Sequence, residues 1–148
     1  MTKIWRFPVT VEMLNQRNAG TLSDHLNIVF TEIGNDFLVA RMPVTSNHLQ
    51  PFGIMNGGAS CVLAETVGSV GANCCVNIET QYCVGLDINV NHIAAVRSGD
   101  VIALGKPFHL GRQTQVWSIE IRNEKNKLIS VSRLTLIVIN NNTKSEKS

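Results

Sequence analysis

A run of small residues from Gly57 to about Cys75 is the feature that most limits how this chain can fold. Apolar residues recur within it at the spacing of one helical face, at Leu63, Val67, Val70 and Cys74. Many of the remaining positions are glycine, alanine or serine, and each glycine costs a helix about 1 kcal/mol relative to alanine. Close tertiary contact must offset that cost. We therefore expect one long helix that lies directly against a sheet.

Strand patterns flank this helix on both sides. Thr10 can cap a short helix over Val11 to Arg17, and a hairpin follows from about Leu26 to Val44 with its turn at Gly34. After the long helix come four further strand candidates, Cys83 to Ile93, Val101 to Lys106, Thr114 to Arg122 and Leu128 to Ile139. The fold class predicted is α+β, with an antiparallel sheet wrapped around one long central helix.

The connections between the four later strands are short, which predicts that each strand pairs antiparallel with the next. Within the first of them, alternation predicts that Val84, Leu86, Ile88 and Val90 share one face. The last strand is apolar on both faces near its end, as expected of a central or interface strand.

Length and charge restrict the function classes. The 148 residues suit one domain, 1–139, followed by a polar tail, 140–148. Hydrophobic residues make up 44% of the chain and charged residues 16%, which excludes disorder. The net charge of +2 gives no electrostatic support for binding nucleic acid or an acidic membrane.

Targeting and metal signals are also lacking in the sequence. The first residues have no secretory apolar core, and no stretch reaches about 18 apolar residues, so we expect a cytoplasmic protein without a membrane span. Cys61, Cys74, Cys75 and Cys83 form no CxxC pair and no zinc spacing. They are interpreted as small buried residues, and no metal site is predicted. His48 shows no pattern that distinguishes it from a surface residue.

One carboxylate stands out, because Glu65 is the only formally charged side chain between Met42 and Ile78. The helix that carries it begins after Asn56, a good N-cap, and Gly57 leaves the first N–H groups open to an anion or a developing oxyanion. Glu65 lies about 12 Å along the helix axis from that start. If both features act on one ligand, one of them must come from a second chain.

Several separated blocks carry a family resemblance. They are Gln50-Pro-Phe-Gly-Ile-Met-Asn-Gly-Gly-Ala-Ser-Cys-Val-Leu-Ala-Glu-Thr-Val-Gly-Ser69, Val84-Gly-Leu-Asp-Ile-Asn-Val-Asn-His92, Lys106-Pro-Phe-His-Leu-Gly111 and Gln115-Val-Trp117. In this order they resemble the hotdog-fold acyl-CoA thioesterases, in the small bacterial branch that hydrolyses aromatic acyl-CoAs. The resemblance extends from Ile4 to Ile139.

The resemblance implies a set of catalytic roles. Glu65 is the catalytic carboxylate, either as nucleophile on the thioester or as general base for water, and both mechanisms remain open. Gly57 supplies its N–H to the thioester oxygen, Gln50 positions the carbonyl or water, and Ser69 contacts the acyl group. Asn56 takes the position where the family usually has His before the Gly-Gly pair. Asparagine can cap the helix and donate a hydrogen bond there, but it cannot donate a proton as an acid.

The resemblance also implies the substrate and the assembly. Coenzyme A would bind at Gly85, His92, Ile93, Ala94, Ala95, His109, Leu110, Gly111, Arg112, Gln113 and Thr114. Close relatives have a small residue and then Arg where this chain has Arg112 and Gln113. The implied substrate is an aromatic acyl-CoA such as 1,4-dihydroxy-2-naphthoyl-CoA or hydroxybenzoyl-CoA, with menaquinone biosynthesis as the pathway. A homodimer would share its active sites and pair into a tetramer, with no cofactor beyond the coenzyme of the substrate.

Two alternatives remain beside this interpretation. The change to Asn56 also suits a non-catalytic acyl-CoA-binding hotdog protein. A hotdog dehydratase is a second enzymatic rival, but its Asp/His pairing on the loop before the helix is not seen. The sequence contains no GxSxG, HExxH or GxGxxG motif that would support a serine hydrolase, a zinc protease or a dinucleotide-binding enzyme.

Overall fold

The computed structural model describes residues 2–141. Three α-helices and six strands follow one another in the order α1 (Val11–Asn18), α2 (Leu22–His25), β1 (Val29–Ile33), β2 (Leu38–Pro43), α3 (Gly57–Cys74), β3 (Gln81–His92), β4 (Asp100–Leu110), β5 (Thr114–Asn123) and β6 (Leu128–Asn140), with a 3₁₀ turn at Ser46–His48. The six strands form one antiparallel sheet around α3. The predicted α+β class is confirmed. Most of the predicted polar tail, 142–148, lies outside the described residues.

The order of strands in the sheet differs from the prediction. It is β1-β2-β4-β5-β6-β3, so β3 pairs with β6 and β4 pairs with β2. The expectation that β3 neighbours β4 is wrong. The connection between them crosses the end of the sheet, since the N–H of Ile93 donates to Ile129, the carbonyl of Val96 accepts from Met55 and the carbonyl of Gly99 accepts from Val44. These hydrogen bonds satisfy the backbone along a path that a tight hairpin would not follow.

Helix α3 begins where its cap predicts. The Asn56 side chain accepts a hydrogen bond of 2.7 Å from the N–H of Gly58. Two glycines let the helix contact the sheet directly. A Cβ atom at Gly71 would lie 2.5 Å from the Trp117 ring, and one at Gly68 would lie 2.6 Å from Leu134. The small residues therefore allow the close contact that the sequence predicts.

The inner face of the sheet and the buried side of α3 form the core. Trp117, Ile119 and Leu134 are fully buried there, and the Trp117 indole N–H donates to the Gln115 side chain at 2.9 Å. Leu63 and Val67 meet them from the helix. The prediction for the cysteines is correct in part. Cys74 and Cys83 are buried, but Cys61 and Cys75 are only half-buried, and all four are free thiols.

Strand β3 lies at an edge of the sheet and contains a β-bulge between Gly85 and Asp87. The bulge contradicts the predicted single face. Gly85 before it and His92 after it both approach α3, although they are an odd number of residues apart. Leu86 is 59% exposed and Val84 is 40% exposed. An unpaired edge with exposed apolar residues is a ready site for another chain.

The segment before β1 differs from the prediction as well. The helix α1 is confirmed, with the Thr10 hydroxyl accepting from the N–H of Met13 at 3.2 Å. The residues that were predicted to start a strand follow a short helix, α2, and are not part of the sheet. Strand β1 begins only at Val29. Within residues 2–141, no helix has the length and apolar character needed to cross a membrane.

Candidate active site

The loop before α3 is held by a buried histidine. One His48 ring nitrogen lies 2.7 Å from the Leu26 carbonyl, and the other lies 3.0 Å from the Thr45 hydroxyl. The His48 carbonyl accepts from the N–H of Asn56 at 2.8 Å. The interpretation of His48 as a surface residue is wrong, because it is 1% exposed. The ring therefore connects the segment at Leu26 to the 3₁₀ turn, and the backbone hydrogen bond to Asn56 positions the start of α3.

A cavity of about 310 Å³ lies at the start of α3. Among the predicted site residues, Gln50, Gly57, His92, Ile93, Ala94 and Ala95 line it. The side-chain oxygen of Gln50 accepts from the N–H of Phe52, which leaves the amide nitrogen free to donate. A Cβ atom at Gly57 would lie 2.9 Å from Nε2 of His92, so glycine is what allows the imidazole to approach the helix start. The Asn56 side chain is engaged in capping and does not line this cavity.

Glu65 lies in a second cavity, of about 450 Å³. The cavity is lined by Thr21, Leu22, Ser23, Cys61, Val62, Glu65, Thr66 and Ile88. Burial raises the pKa of the Glu65 carboxyl, and a hydrogen bond from Ser69 at 3.4 Å acts in the opposite direction. Gly85 makes room for this carboxylate, since a Cβ atom there would collide with Glu65. The structure therefore places Gly85 against Glu65, beside Ser69.

Glu65 is the ionisable group of this cavity best suited to chemistry. Burial raises the pKa of the neighbouring Cys61 thiol, which keeps it in the poorly nucleophilic neutral form. Ser23 and Thr66 hydroxyls lie 3.1 Å apart and bond to each other. A carboxylate with a raised pKa is a stronger base than an exposed one.

The two cavities are separate within one chain. Gly57 and Glu65 are eight residues apart on α3, or about 12 Å along its axis. A single chain therefore does not bring the helix start and the carboxylate to one thioester-sized group. Completion of the site by a second chain stays a prediction.

The loop predicted to bind phosphates lies at the other end of the sheet. On β6, Ser130 pairs with His92 and Ile137 pairs with Thr114, and these two β6 residues are about 23 Å apart. Three of the loop residues, Leu110, Gly111 and Arg112, instead line a cavity of about 470 Å³ with Lys3 and Arg6 of the first segment. Within one chain, His109, Gln113 and Thr114 are likewise distant from His92.

Some cavity residues were not identified from the sequence. Leu22 and Ile88 cover the Glu65 cavity from α2 and β3, and Thr66 forms part of its polar wall. The sequence signal for α2 is local, because Thr21 precedes the helix at the N-cap position. In the structure, the Asp24 carboxylate accepts a hydrogen bond of 2.8 Å from the N–H of Gly20. Alternation placed Ile88 on the apolar face of its strand, but which residues of that face meet the helix depends on the bulge.

The Ser69 hydrogen bond gives a testable pKa difference. Because this bond favours the ionised carboxylate, we expect Ser69→Ala to raise the pKa of Glu65 further above the ordinary glutamate value of about 4.3. Titration of the carboxyl carbon by ¹³C NMR, assigned with Glu65→Gln, measures the shift. Ser69→Thr keeps the hydroxyl and should stay near the wild-type value. A lower pKa in Ser69→Ala would contradict the assigned role of the bond.

No group of three His, Cys, Asp or Glu side chains suited to a metal ion occurs among residues 2–141. The chemistry that the described groups themselves offer is attack by a carboxylate, or by water activated by it, on a carbonyl held at a helix start.

Comparisons with known proteins find similar sequences and structures. The family model of the thioesterase superfamily matches residues 52–130, more than half of the chain. The 1,4-dihydroxy-2-naphthoyl-CoA hydrolase of Escherichia coli is 48% identical over 92% of this chain and 99% of its own length. The proofreading thioesterase EntH of Cronobacter sakazakii is 43% identical over 92% and 98%. The crystal structure of a mutant thioesterase from Pseudomonas aeruginosa superposes with a TM-score of 0.92 at 40% identity, covering 93% of this chain and 99% of that one.

Proposed function

This chain belongs to the thioesterase superfamily and is a thioester hydrolase, and from that premise we propose that it cleaves acyl-CoA esters with an aromatic acyl group. The observation that carries the proposal is the environment of Glu65. This carboxylate is half-buried with a raised pKa and lies in a cavity whose walls include Leu22, Val62 and Ile88. Such walls suit a flat apolar ring next to the reacting carbonyl.

The catalytic step follows from the groups at the two cavities. The Glu65 carboxylate attacks the thioester carbon to give an anhydride that water then hydrolyses, or it removes a proton from an attacking water. The backbone N–H of Gly57 and the free amide of Gln50, both from the partner chain, stabilise the developing oxyanion. Ser69 hydrogen-bonds to Glu65 and contacts the acyl group. Asn56 keeps the helix start ordered.

The partner chain is a second copy that pairs along β3. The exposed edge of β3, with Val84 and Leu86 uncovered, supports this arrangement. A two-fold axis across this edge reverses the strand, so the His92 end of one copy lies beside the Gln81 end of the other. The same operation moves the loop 109–114 of one copy to the end of the sheet where the other carries His92. Gly85, His92, the segment 93–95 and this loop then hold coenzyme A between two chains.

The identity of the acyl group, the pathway and the assembly are part of the same proposal. One relative is named for hydrolysis of 1,4-dihydroxy-2-naphthoyl-CoA, and another is named a proofreading thioesterase. A naphthoyl substrate would place this chain in menaquinone biosynthesis. As the resemblance implies, the proposal also includes a tetramer built from two dimers and a location in the cytoplasm. The non-catalytic alternative rests on Asn56, and it requires coenzyme A binding without turnover.

A substrate screen tests the proposed function. Purified protein is assayed with a thiol reagent on 1,4-dihydroxy-2-naphthoyl-CoA, hydroxybenzoyl-CoA, benzoyl-CoA, and hexanoyl-CoA as an aliphatic control. We expect kcat/KM to be highest for an aromatic ester, by about tenfold or more over hexanoyl-CoA, since a filled apolar pocket contributes roughly 1–3 kcal/mol. Equal rates on all esters would contradict the aromatic assignment. Tight binding of coenzyme A with no turnover of any ester would favour the binding protein.

A further inference from the structure

The His92 imidazole is placed where α3 begins. Its Nε2 atom would lie 2.9 Å from a Cβ atom on Gly57, the residue whose N–H is proposed to hold the thioester oxygen. Both residues line the cavity at the helix start, together with Gln50. A thioester whose oxygen sits at that N–H therefore lies beside the imidazole.

His92 is also the sole titratable side chain among the residues that line this cavity. The other lining residues are apolar or glycine, apart from the uncharged polar residues Gln50 and Ser60. Asn56, at the first position before the helix, cannot donate a proton as an acid. Among charged groups nearby, the Arg97 guanidinium approaches the loop at Gly53, and Arg133 of β6 pairs opposite Asn89. Neither arginine can give up a proton under ordinary conditions.

The reaction requires such a proton. Cleaving the C–S bond of an acyl-CoA expels an alkyl thiolate, which is a strong base compared with the carboxylate product. Histidine is the side chain that most often serves as a general acid or base in enzymes. We propose that His92 is the general acid that protonates the departing thiolate. This inference rests on the proposed function, because it assigns a further catalytic residue to the same reaction.

The tetrahedral intermediate collapses, the C–S bond breaks, and its electron pair goes to sulfur while the imidazolium of His92 transfers its proton to that sulfur. The products of this step are the free thiol, a neutral imidazole and either the acid or the Glu65 anhydride. The water consumed in hydrolysis then releases the proton that restores the imidazolium. The sum is one thioester and one water converted to one carboxylic acid and one thiol.

The test varies the leaving group. Two benzoyl thioesters without the coenzyme's nucleotide are compared, one of N-acetylcysteamine, an alkyl thiol, and one of thiophenol, a far more acidic aryl thiol. Only the alkyl thiolate needs protonation as it leaves. We expect His92→Gln to lower kcat/KM on the alkyl ester by about 10²-fold and on the aryl ester by a few-fold only. The ratio of the two values is independent of how much of the variant is folded.

The exposed His25 provides the matched control, since it lines neither of the two cavities. His25→Gln should leave both values and their ratio unchanged. An equal loss on both esters in His92→Gln would overturn the proposal and leave His92 a positioning or binding residue. Unchanged rates on both would also overturn it. Wild-type protein that hydrolyses neither these esters nor benzoyl-CoA would contradict the proposed function itself, which separates the two failures.

Discussion

Replacing Glu65 by glutamine is expected to lower kcat/KM on an aromatic acyl-CoA by about 10²–10⁴-fold. The amide matches the carboxylate in shape, but it can neither attack the thioester nor accept a proton from water. Burial already disfavours the charged form of Glu65, so removing the charge should not destabilise the fold. Steady-state assays with a thiol reagent measure the loss, and thermal unfolding measures the stability.

Glu79 serves as the control carboxylate, because it is exposed and lies just beyond the end of α3. Glu79→Gln should keep the wild-type rate. If Glu65→Gln were as active as the wild type while its melting temperature was unchanged, the catalytic role of Glu65 would be excluded. If Glu65→Gln lost activity and also unfolded at a lower temperature, Glu65→Asp would separate the two effects. That variant keeps a carboxylate but retracts it by one methylene.

Mixing two inactive variants is expected to restore activity. One partner carries Glu65→Gln. The other carries Gln50→Ala together with Gly57→Val, which fills the space that His92 occupies at the helix start. With random exchange of subunits, half of the dimers are mixed, and each mixed dimer has one intact site of two. Activity should therefore recover to about a quarter of the wild-type value.

The matched control mixes Glu65→Gln with a chain that carries all three substitutions. No site in that mixture contains Glu65, so no activity should return. If the first mixture also stayed inactive after exchange was verified by native mass spectrometry, each site would be contained within one chain. The distance of about 12 Å between Gly57 and Glu65 on one helix makes that outcome hard to reconcile with a single bound thioester.

Local signals in the sequence were sufficient to locate the central helix and its one carboxylate. Asn56 predicts the first residue of α3, and the glycines at 68 and 71 predict its close contact with the sheet. Glu65 is distinguished by its isolation in an uncharged stretch of the chain. These inferences succeeded because caps, helical spacing and the cost of glycine act within a few residues of the chain.

The position of β3 and the presence of α2 depend on contacts between residues far apart in the sequence, which local patterns do not reveal. Alternation identified β3 as a strand, but its place at the sheet edge depends on pairing with β6, the last strand of the chain. The short helix α2, which covers the Glu65 cavity, lacked the length to produce a periodic pattern. The position of β3 matters most, because it leaves an edge free for a second chain.

The sequence by itself determined a small-residue helix with one carboxylate, its cap and the sheet that surrounds it. Only the tertiary structure decided that Gly85 and His92 both face that helix. The bulge between Gly85 and Asp87 adds one residue to β3 and so reverses the alternation after it. Gly85 thereby makes room for Glu65, and His92 reaches Gly57. Alternation has a period of two residues, so a single extra residue, fixed by pairing with β6, changes which side chains reach the site.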